Sequence, residues 1–379
     1  MIGQDLHVVM IGYAKKALQS GTRDRERMKL YATAVKELHI IVFTKKDEGF
    51  PDFQQEGNIY LYATNSRFNW QKIFNAINIG KKILKSNKKS GWVVSSQDPF
   101  ETAVVARAIT KNNLAVHQIQ IHGDVFGMSS TKGSLFQSVR VLYAKSIIRK
   151  TKCIRVVSKR ISRSLVTLGV DPNSIYVIPI QADLESFLRL GKDRVYNKKN
   201  PNNCSFLYVG RFSPEKNLEL LIESFSQVVK NFPDSSLTLV GEGPSEEIIL
   251  KKISEFGLEN KVVLKPWLND VGAEMMIHDV FCLSSNHEGW AMVLLEAAAT
   301  GMPTVTTDVG CVGEFIIDQV HGLVASDQSS FAKNMNQYLM NPNLVKQHGR
   351  KAYELALSAS ISNDEYVQKI VESWTSCEQ

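Results

Sequence analysis

The chain has 379 residues, 44% of them hydrophobic and 22% charged, with a formal net charge of +7. This composition excludes a disordered or fibrous polypeptide and is long enough for two cores of ordinary domain size. The five cysteines, Cys153, Cys204, Cys282, Cys311 and Cys377, never fall in C-x-x-C spacing, so they indicate neither a disulfide framework nor a zinc site and fit a reducing compartment.

From the amino terminus, "LHVVMIGYA" has strand length, no basic residues before it and no small-residue cleavage site after it, and reads as a buried first strand. Nowhere does the chain approach the roughly 18 uninterrupted apolar residues that cross a bilayer. The expected location is cytoplasmic, with any membrane contact peripheral and on the inner face. Further strands are expected at 38–43, 91–96, 115–123, 153–158 and 175–179, then at 205–210, 236–241, 261–267, 280–285, 303–310 and 322–326. These runs lack alternation and are separated by amphipathic segments, the pattern of parallel sheets covered by helices on both faces. The polar, asparagine-rich stretch 191–203 reads as a linker. The expected architecture is α/β, with two Rossmann-like doubly wound domains, 1–190 and 204–359, facing each other across a cleft. Tyr366, Ile370, Val371 and Trp374 form one stripe of a terminal helix, 360–379, expected to pack back on the first domain.

Charge separates the halves. Residues 1–190 hold 29 Lys+Arg against 14 Asp+Glu, a balance of +15, and the remainder holds 16 against 24, a balance of −8. Basic residues concentrate on two helix-like segments, 69–89 and 134–152, where Trp70, Phe74, Ile77 and Leu84 recur at helical spacing among lysines. Such segments either cover a sheet with their lysines in water or rest on anionic lipid headgroups. Nucleic acid is not an expected partner, because no zinc knuckle, RRM signature or aromatic-interleaved basic stripe accompanies the charge.

Ligands of doubly wound sheets bind beyond the carboxyl ends of strands. In "YVGRFSPEKNLELL" a strand ends at Gly210, the loop carries Arg211 and Lys216, and a helix starts near Leu218 with Asn217 as its cap. Two cations beside a helix start suit a diphosphate, and Gly210 allows close backbone approach. In "SSNHEGWAMVLLEAAATGMP" a strand delivers the loop residues Glu288 and Gly289, and a helix runs from about Trp290 through Ala291, Met292 and Val293 to Thr300. Its first turn offers free N–H groups. Glu288 lies just outside the helix and Glu296 inside it; a lone glutamate in an apolar run is ordinarily on a solvated face, but a ribose would satisfy a buried one.

The Glu288-x7-Glu296 pair, followed by "EAAATGMPTVTTDVG" and preceded by "GRFSPEKN", resembles the signature of retaining nucleotide-sugar glycosyltransferases of family 4, among the group 1 glycosyltransferases, which have the GT-B fold. The similarity covers the carboxy-terminal domain; "SSQDPFETAVVA", "IQIHGD" and "RVVSKRISRSLVTLGVDPNSIYVIP" resemble family segments more weakly. The resemblance implies that Arg211 and Lys216 bind the donor diphosphate, Glu288 the transferred sugar and Glu296 the ribose. It further implies that Gly289 through Val293 line the donor and that His122 reaches the donor sugar near the reacting carbon. Asp124, with Gly21 and Arg23 (or Arg25 or Arg27) of "QSGTRDRER", is placed on the acceptor side. Base contacts are expected at Pro266, Trp267 and Leu268, where Trp267 either stacks on a base or packs. Three departures stand out: Ala291 occupies a position that is usually glycine, Trp290 replaces a commoner Phe, and "IPIQAD" replaces Asn-Gly-Val-Asp.

"HEGWA" lacks the second histidine of a zinc-protease helix, "GEGP" is not a full G-x-G-x-x-G, no P-loop or nucleophile elbow occurs, and there is no D-x-D to hold a metal against a diphosphate. By the resemblance, and with no D-x-D, the expected function is a metal-independent, cofactor-free glycosyltransferase of polysaccharide or glycolipid biosynthesis. By resemblance it retains anomeric configuration through front-face departure, with domain closure excluding water. The expected acceptor is lipid-linked or otherwise anionic. The alternatives are a soluble saccharide acceptor with the same chemistry, or a non-catalytic nucleotide-sugar-binding protein.

Overall fold

The computed structural model describes residues 5–86, 91–111, 115–123, 135–196, 203–268 and 270–378. It comprises two compact units, Met1–Pro179 with Ile361–Gln379, and Ile180–Ser360.

The first unit is built on β1 (His7–Gly12), β2 (Glu37–Val42), β3 (Phe53–Glu56), β4 (Ile59–Ala63), β5 (Trp92–Ser96), β6 (Ala115–Ile121), β7 (Ile154–Val156) and β8 (Ile175–Val177), ordered β3-β4-β2-β1-β5-β6-β7-β8. Its neighbouring strands pair in parallel, except that β3 runs antiparallel to β4 at the edge. The sequence pattern misses this hairpin: β3 is polar and mostly exposed, so it carries no apolar run. The helices are α1 (Arg23–Ala32), α2 (Gln71–Ser86), α3 (Glu101–Thr110), α4 (Leu135–Ile148) and α5 (Lys159–Thr167). Strand residues alternate between two cores. Val8 and Met10 join Met28 and Tyr31 of α1, whereas Val9 and Ile11 join Ala76 and Ile83 of α2 and Val105 and Ile109 of α3. Both faces of the sheet are thus covered, which explains the unbroken apolar strands.

The second unit holds β9 (Ser205–Val209), β10 (Ser236–Val240), β11 (Val262–Lys265), β12 (Val280–Leu283), β13 (Thr304–Thr307) and β14 (Gly322–Ala325), all parallel in the order β11-β10-β9-β12-β13-β14. Its helices are α6 (Glu185–Lys192), α7 (Leu218–Asn231), α8 (Glu246–Glu255), α9 (Val271–Ile277), α10 (Met292–Ala299), α11 (Gln328–Met340) and α12 (Pro342–Ala359). The change of unit falls at Pro179/Ile180, ahead of the polar stretch 191–203, of which residues 197–202 lie outside the described residues. The reason is α6, which buries Phe187 and packs so closely that a Cβ on Gly191 would sit 2.1 Å from the Ala299 carbonyl oxygen. Arg194 then donates to the carbonyls of Met275 (3.1 Å), Thr300 (3.2 Å) and His278.

The last helix, α13 (Asn363–Thr375), returns to the first unit and buries Tyr366, Val367, Ile370, Val371 and Trp374 against the α1 side of the sheet. The Trp374 indole donates to Gln118 Oε1 (3.0 Å), and the buried Arg155 of β7 donates to the Tyr366 hydroxyl (2.9 Å) and to Gln120 Oε1 (2.8 Å). This return also corrects the reading of the cysteines. Cys153 and Cys377 are disulfide-paired with Cα atoms 5.4 Å apart, a proximity created by the fold across 224 residues and invisible in local spacing. Cys204, Cys282 and Cys311 are buried and lie outside this disulfide. Among the described residues no helix is long and apolar enough to cross a membrane.

Candidate functional site

Strands β9 and β12 are neighbours in the second sheet, so the loops leaving their carboxyl ends run side by side. The first turns through Pro214–Lys216 into Asn217, whose left-handed backbone (φ 48°, ψ 51°) caps α7 by accepting from Leu220 N (3.4 Å). Four contacts fasten it to the second loop. Asn217 Nδ2 donates to Asn286 Oδ1 (3.0 Å), Asn286 N to the Glu215 carbonyl (2.8 Å), Ser284 Oγ to the Lys216 carbonyl (2.9 Å), and Lys216 Nζ to Glu288 Oε1 (2.6 Å). The ion pair is largely sheltered, with side chains 21% and 13% exposed, and Ser285 Oγ donates to the same carboxylate oxygen (2.8 Å). A sheltered charge with fixed partners is pre-organised: little reorganisation is needed when a polar ligand replaces water around it. Gly210 directly follows β9, and the exposed Arg211 has its carbonyl held by the Tyr208 hydroxyl (3.1 Å). The Tyr208 hydroxyl is pushed well above the usual phenol range by burial, with the Glu288 and Glu215 charges adding to it.

Helix α10 begins at Met292, two residues later than the sequence suggests, because Ala291 at its N-cap takes a left-handed backbone (φ 62°, ψ 63°). Only half of the Glu288–Glu296 interval is therefore helical. Gly289 is half-buried, Trp290 and Ala291 are buried, and Met292 and Val293 are half-buried in the first turn. Glu296 is half-buried: α10 keeps Leu294, Leu295, Ala297, Ala298 and Ala299 inside and leaves Glu296 on its one partly open side. The strained turn is braced by Gly310, where a Cβ would stand 2.9 Å from the Trp290 carbonyl carbon and 3.0 Å from the Ala291 Cβ, and by Cys311 N donating to the Trp290 carbonyl (3.1 Å).

The "GEGP" loop after β10 supports the same region. A Cβ on Gly241 would fall 2.0 Å from the Gly210 carbonyl oxygen; the Glu242 carbonyl accepts from Phe212 N (2.9 Å), and Ser245 N donates to the Phe212 carbonyl (3.0 Å). Beyond β11, Pro266 and Trp267 are exposed and Leu268 is half-buried, which leaves the indole of Trp267 free to stack.

In the first unit, His122 follows the carboxyl end of β6, and its Nε2 lies 3.2 Å from Gln97 Oε1 beyond β5. With the Gln97 amide oxygen turned toward the ring, the contact fits the tautomer protonated at Nε2, with Nδ1 as the acceptor. Burial, with Arg155 and Arg27 adding to it, pulls the imidazole down to about 3, so it is neutral at neutral pH. Gly21 and Arg23 are exposed at the start of α1, and Asp124 lies outside the described residues. Arg25 is not available to a ligand: it is buried, donates to Gln54 Oε1 (3.1 Å) and faces Glu56 (3.7 Å), while Arg27 pairs with Asp24 (2.8 Å).

Residues 191–355 match the family model described as glycosyl transferases group 1. This region belongs to that family. The UDP-Gal:alpha-D-GlcNAc-diphosphoundecaprenol alpha-1,3-galactosyltransferase of Escherichia coli is 30% identical over 203 residues, 50% of each chain, so the match spans half the length of that relative. Sucrose-phosphate synthase from Thermosynechococcus elongatus superposes with a TM-score of 0.77 at 17% identity, covering 98% of both chains. HepE of Anabaena, solved with UDP and glucose, gives 0.72 at 15% identity, covering 97% of this chain and 99% of that one. These likenesses establish the fold as GT-B.

Within the group 1 region, sequence reasoning misses the residues that hold the ion pair in place. Tyr208, Ser284, Ser285 and Asn286 act through contacts to backbone or to Glu288. The signal of the last three is available in "SSNHE", a polar cluster directly after an apolar strand. The incomplete "GEGP" motif gives no reason to single out Gly241, whose role here is backbone-to-backbone packing.

Proposed function

We propose that the protein is a retaining, metal-independent glycosyltransferase that moves a sugar from a nucleotide-diphosphate donor to a hydroxyl of a lipid-linked or otherwise anionic acceptor. The observation that carries this reading is the sheltered Lys216–Glu288 pair, 2.6 Å, held where the loops after β9 and β12 meet. Lys216 and Arg211, with the free N–H groups at the start of α10, neutralise the diphosphate and the charge that grows on it as the glycosidic bond breaks. Glu288 accepts hydrogen bonds from hydroxyls of the transferred sugar, Glu296 from the ribose, and Trp267 stacks on the base. The neutral His122, with Nδ1 free to accept, binds a substrate hydroxyl rather than acting as a cation.

The bond from the anomeric carbon to the acceptor oxygen forms on the face from which the phosphate departs. The acceptor proton passes to the departing phosphate oxygen, giving a glycoside and a nucleoside diphosphate; no protein nucleophile is required. A membrane-associated acceptor is favoured by the +15 balance of residues 1–190 and by the diphosphoundecaprenol named for the Escherichia coli relative.

The test is proton NMR of the product from an α-linked donor, with and without a chelator. An α-linked product formed equally in both supports the reading. A β-linked product, chelator-sensitive turnover, or donor binding without any turnover contradicts it.

A further inference from the structure

Large apolar side chains are unevenly exposed on the first unit. Phe68, Trp70 and Phe74, at the entrance and first turn of α2, are 58%, 61% and 59% exposed. They form one ledge: the Phe68 and Trp70 rings lie parallel with centroids 6.4 Å apart, and Phe74 meets Trp70 edge-on at 5.9 Å. Below them on α2, Ile83 and Leu84 turn into the core, while the outward side continues as Lys81, Lys82 and Lys85. Helix α4 exposes a second stripe, Val139, Leu142 and Tyr143, at helical spacing, followed by exposed Arg149 and Lys150.

The two stripes flank one helical layer. Gly80 of α2 lies against Ile109 of α3, where a Cβ would be 2.7 Å from the isoleucine. Arg140 of α4 grips Glu101 of α3 with two hydrogen bonds (2.7 and 2.8 Å) and stacks 3.8 Å above the Phe100 ring. Beside the aromatic ledge opens a cavity of about 700 Å³ whose lining includes Lys46, Arg67, Asn65, Gln71 and Asn75.

Water-facing helices seldom carry three contiguous exposed aromatic rings. Aromatic rings flanked by lysines are what the boundary between headgroups and acyl chains accommodates, since the ring enters the apolar side while cations meet phosphates. We propose that the outer surface of the α2–α3–α4 layer is a docking face for an anionic bilayer. In this arrangement Phe68, Trp70, Phe74 and the α4 stripe enter the interface, and Lys46, Arg67, Lys81, Lys82 and Lys85 contact lipid phosphates. The inference rests on the membrane-associated part of the function proposed above and is independent of its donor chemistry.

The experiment is flotation of the full chain with vesicles of phosphatidylcholine alone or mixed equally with phosphatidylglycerol, at low and high salt, without donor or acceptor. The wild type is expected to float with anionic vesicles in a salt-sensitive manner, and Phe68→Ser/Trp70→Ser/Phe74→Ser to lose roughly tenfold or more in apparent affinity. Trp70 and Trp267 are the exposed tryptophans, with Trp92, Trp290 and Trp374 buried, so quenching by brominated lipid should vanish in Trp70→Phe and persist in Trp267→Phe. Absence of vesicle binding, binding unaffected by the triple substitution, or a dimer that the triple substitution dissolves without lipid would each overturn the proposal. Nucleotide-sugar binding by the triple variant, read as a thermal shift, reports separately on the donor site. Failure of one reading is thereby distinguishable from failure of the other.

Discussion

Ala291 offers a quantitative test of the local geometry at the start of α10. It is an L-residue held at φ 62°, ψ 63° and only 6% exposed, at the position where the resembling family usually has glycine. A left-handed backbone costs an alanine roughly 1–2 kcal/mol. Replacement by glycine removes that cost, but it loosens the unfolded chain by about 0.4–1 kcal/mol and takes away a buried methyl worth about 0.8 kcal/mol. The terms nearly cancel, so Ala291→Gly should change stability by less than about 1 kcal/mol in either direction. Ala291→Val adds β-branching at positive φ and pushes toward Gly310, where a Cβ would already stand 3.0 Å from the Ala291 Cβ. It should cost at least about 2–3 kcal/mol, and for a unit of this size roughly 4–12 °C in Tm. Calorimetric melts of the two variants decide the matter. If glycine destabilises by more than about 2 kcal/mol, or valine melts with the wild type, residue 291 does not adopt this backbone. The same pair tests the donor placement proposed above: with the sugar lying against residue 291, removal of the methyl should raise kcat/KM for the donor.

Gly241→Ala places a Cβ 2.0 Å from the Gly210 carbonyl oxygen, so it should lower Tm and weaken nucleotide binding together, as followed by thermal shift with and without nucleotide. Gln97→Glu puts a carboxylate opposite His122 Nε2–H, and the His122 titration seen by NMR should move up from about 3 by at least one pH unit, roughly 1.4 kcal/mol of added ion-pair stabilisation; an unmoved titration would break the assigned contact. Burial also pulls His117 down to about 3. For both histidines the unfolded chain, titrating near 6.5, binds protons that the folded chain refuses. Their contribution is therefore fully present above about pH 6.5 and declines as pH falls toward about 3. Unfolding free energies from denaturant titrations should drop between pH 7 and pH 5, by up to about 2 kcal/mol per histidine, and a flat profile would contradict the neutral folded state.

The six strands of the second sheet are legible because each is a short apolar run bounded by polar residues or glycine, and Asn217 announces the start of α7. The edge hairpin is not, since β3 makes its contacts through backbone pairing to β4 and its side chains stay largely in solvent. The residue types of the candidate site are visible as cations after one strand and an acid after another. Their contact is not: Lys216 and Glu288 are 72 residues apart, and only the adjacency of β9 and β12 brings them together. Trp70 and Phe74 share a helical stripe with Ile77 and Leu84 in the sequence, yet Leu84 is buried and the two aromatics are exposed. The covered side of α2 runs through Ala76, Ile83 and Leu84 and leaves the aromatic ledge at its start uncovered. Periodicity locates a face; it does not say how far along the helix that face stays covered.

In the function proposed above, Lys216 and Glu288 divide one ligand between them, the lysine holding the diphosphate and the glutamate the sugar. Calorimetric titration of the full chain, Lys216→Ala and Glu288→Gln with a nucleoside diphosphate and with the corresponding nucleotide sugar tests it directly, using whichever of the UDP, GDP and ADP pairs gives the largest thermal shift. Lys216→Ala should weaken both ligands roughly tenfold or more, and Glu288→Gln should weaken the nucleotide sugar while leaving the diphosphate nearly unchanged. Equal losses for both ligands in Glu288→Gln, or wild-type binding in Lys216→Ala, would contradict it.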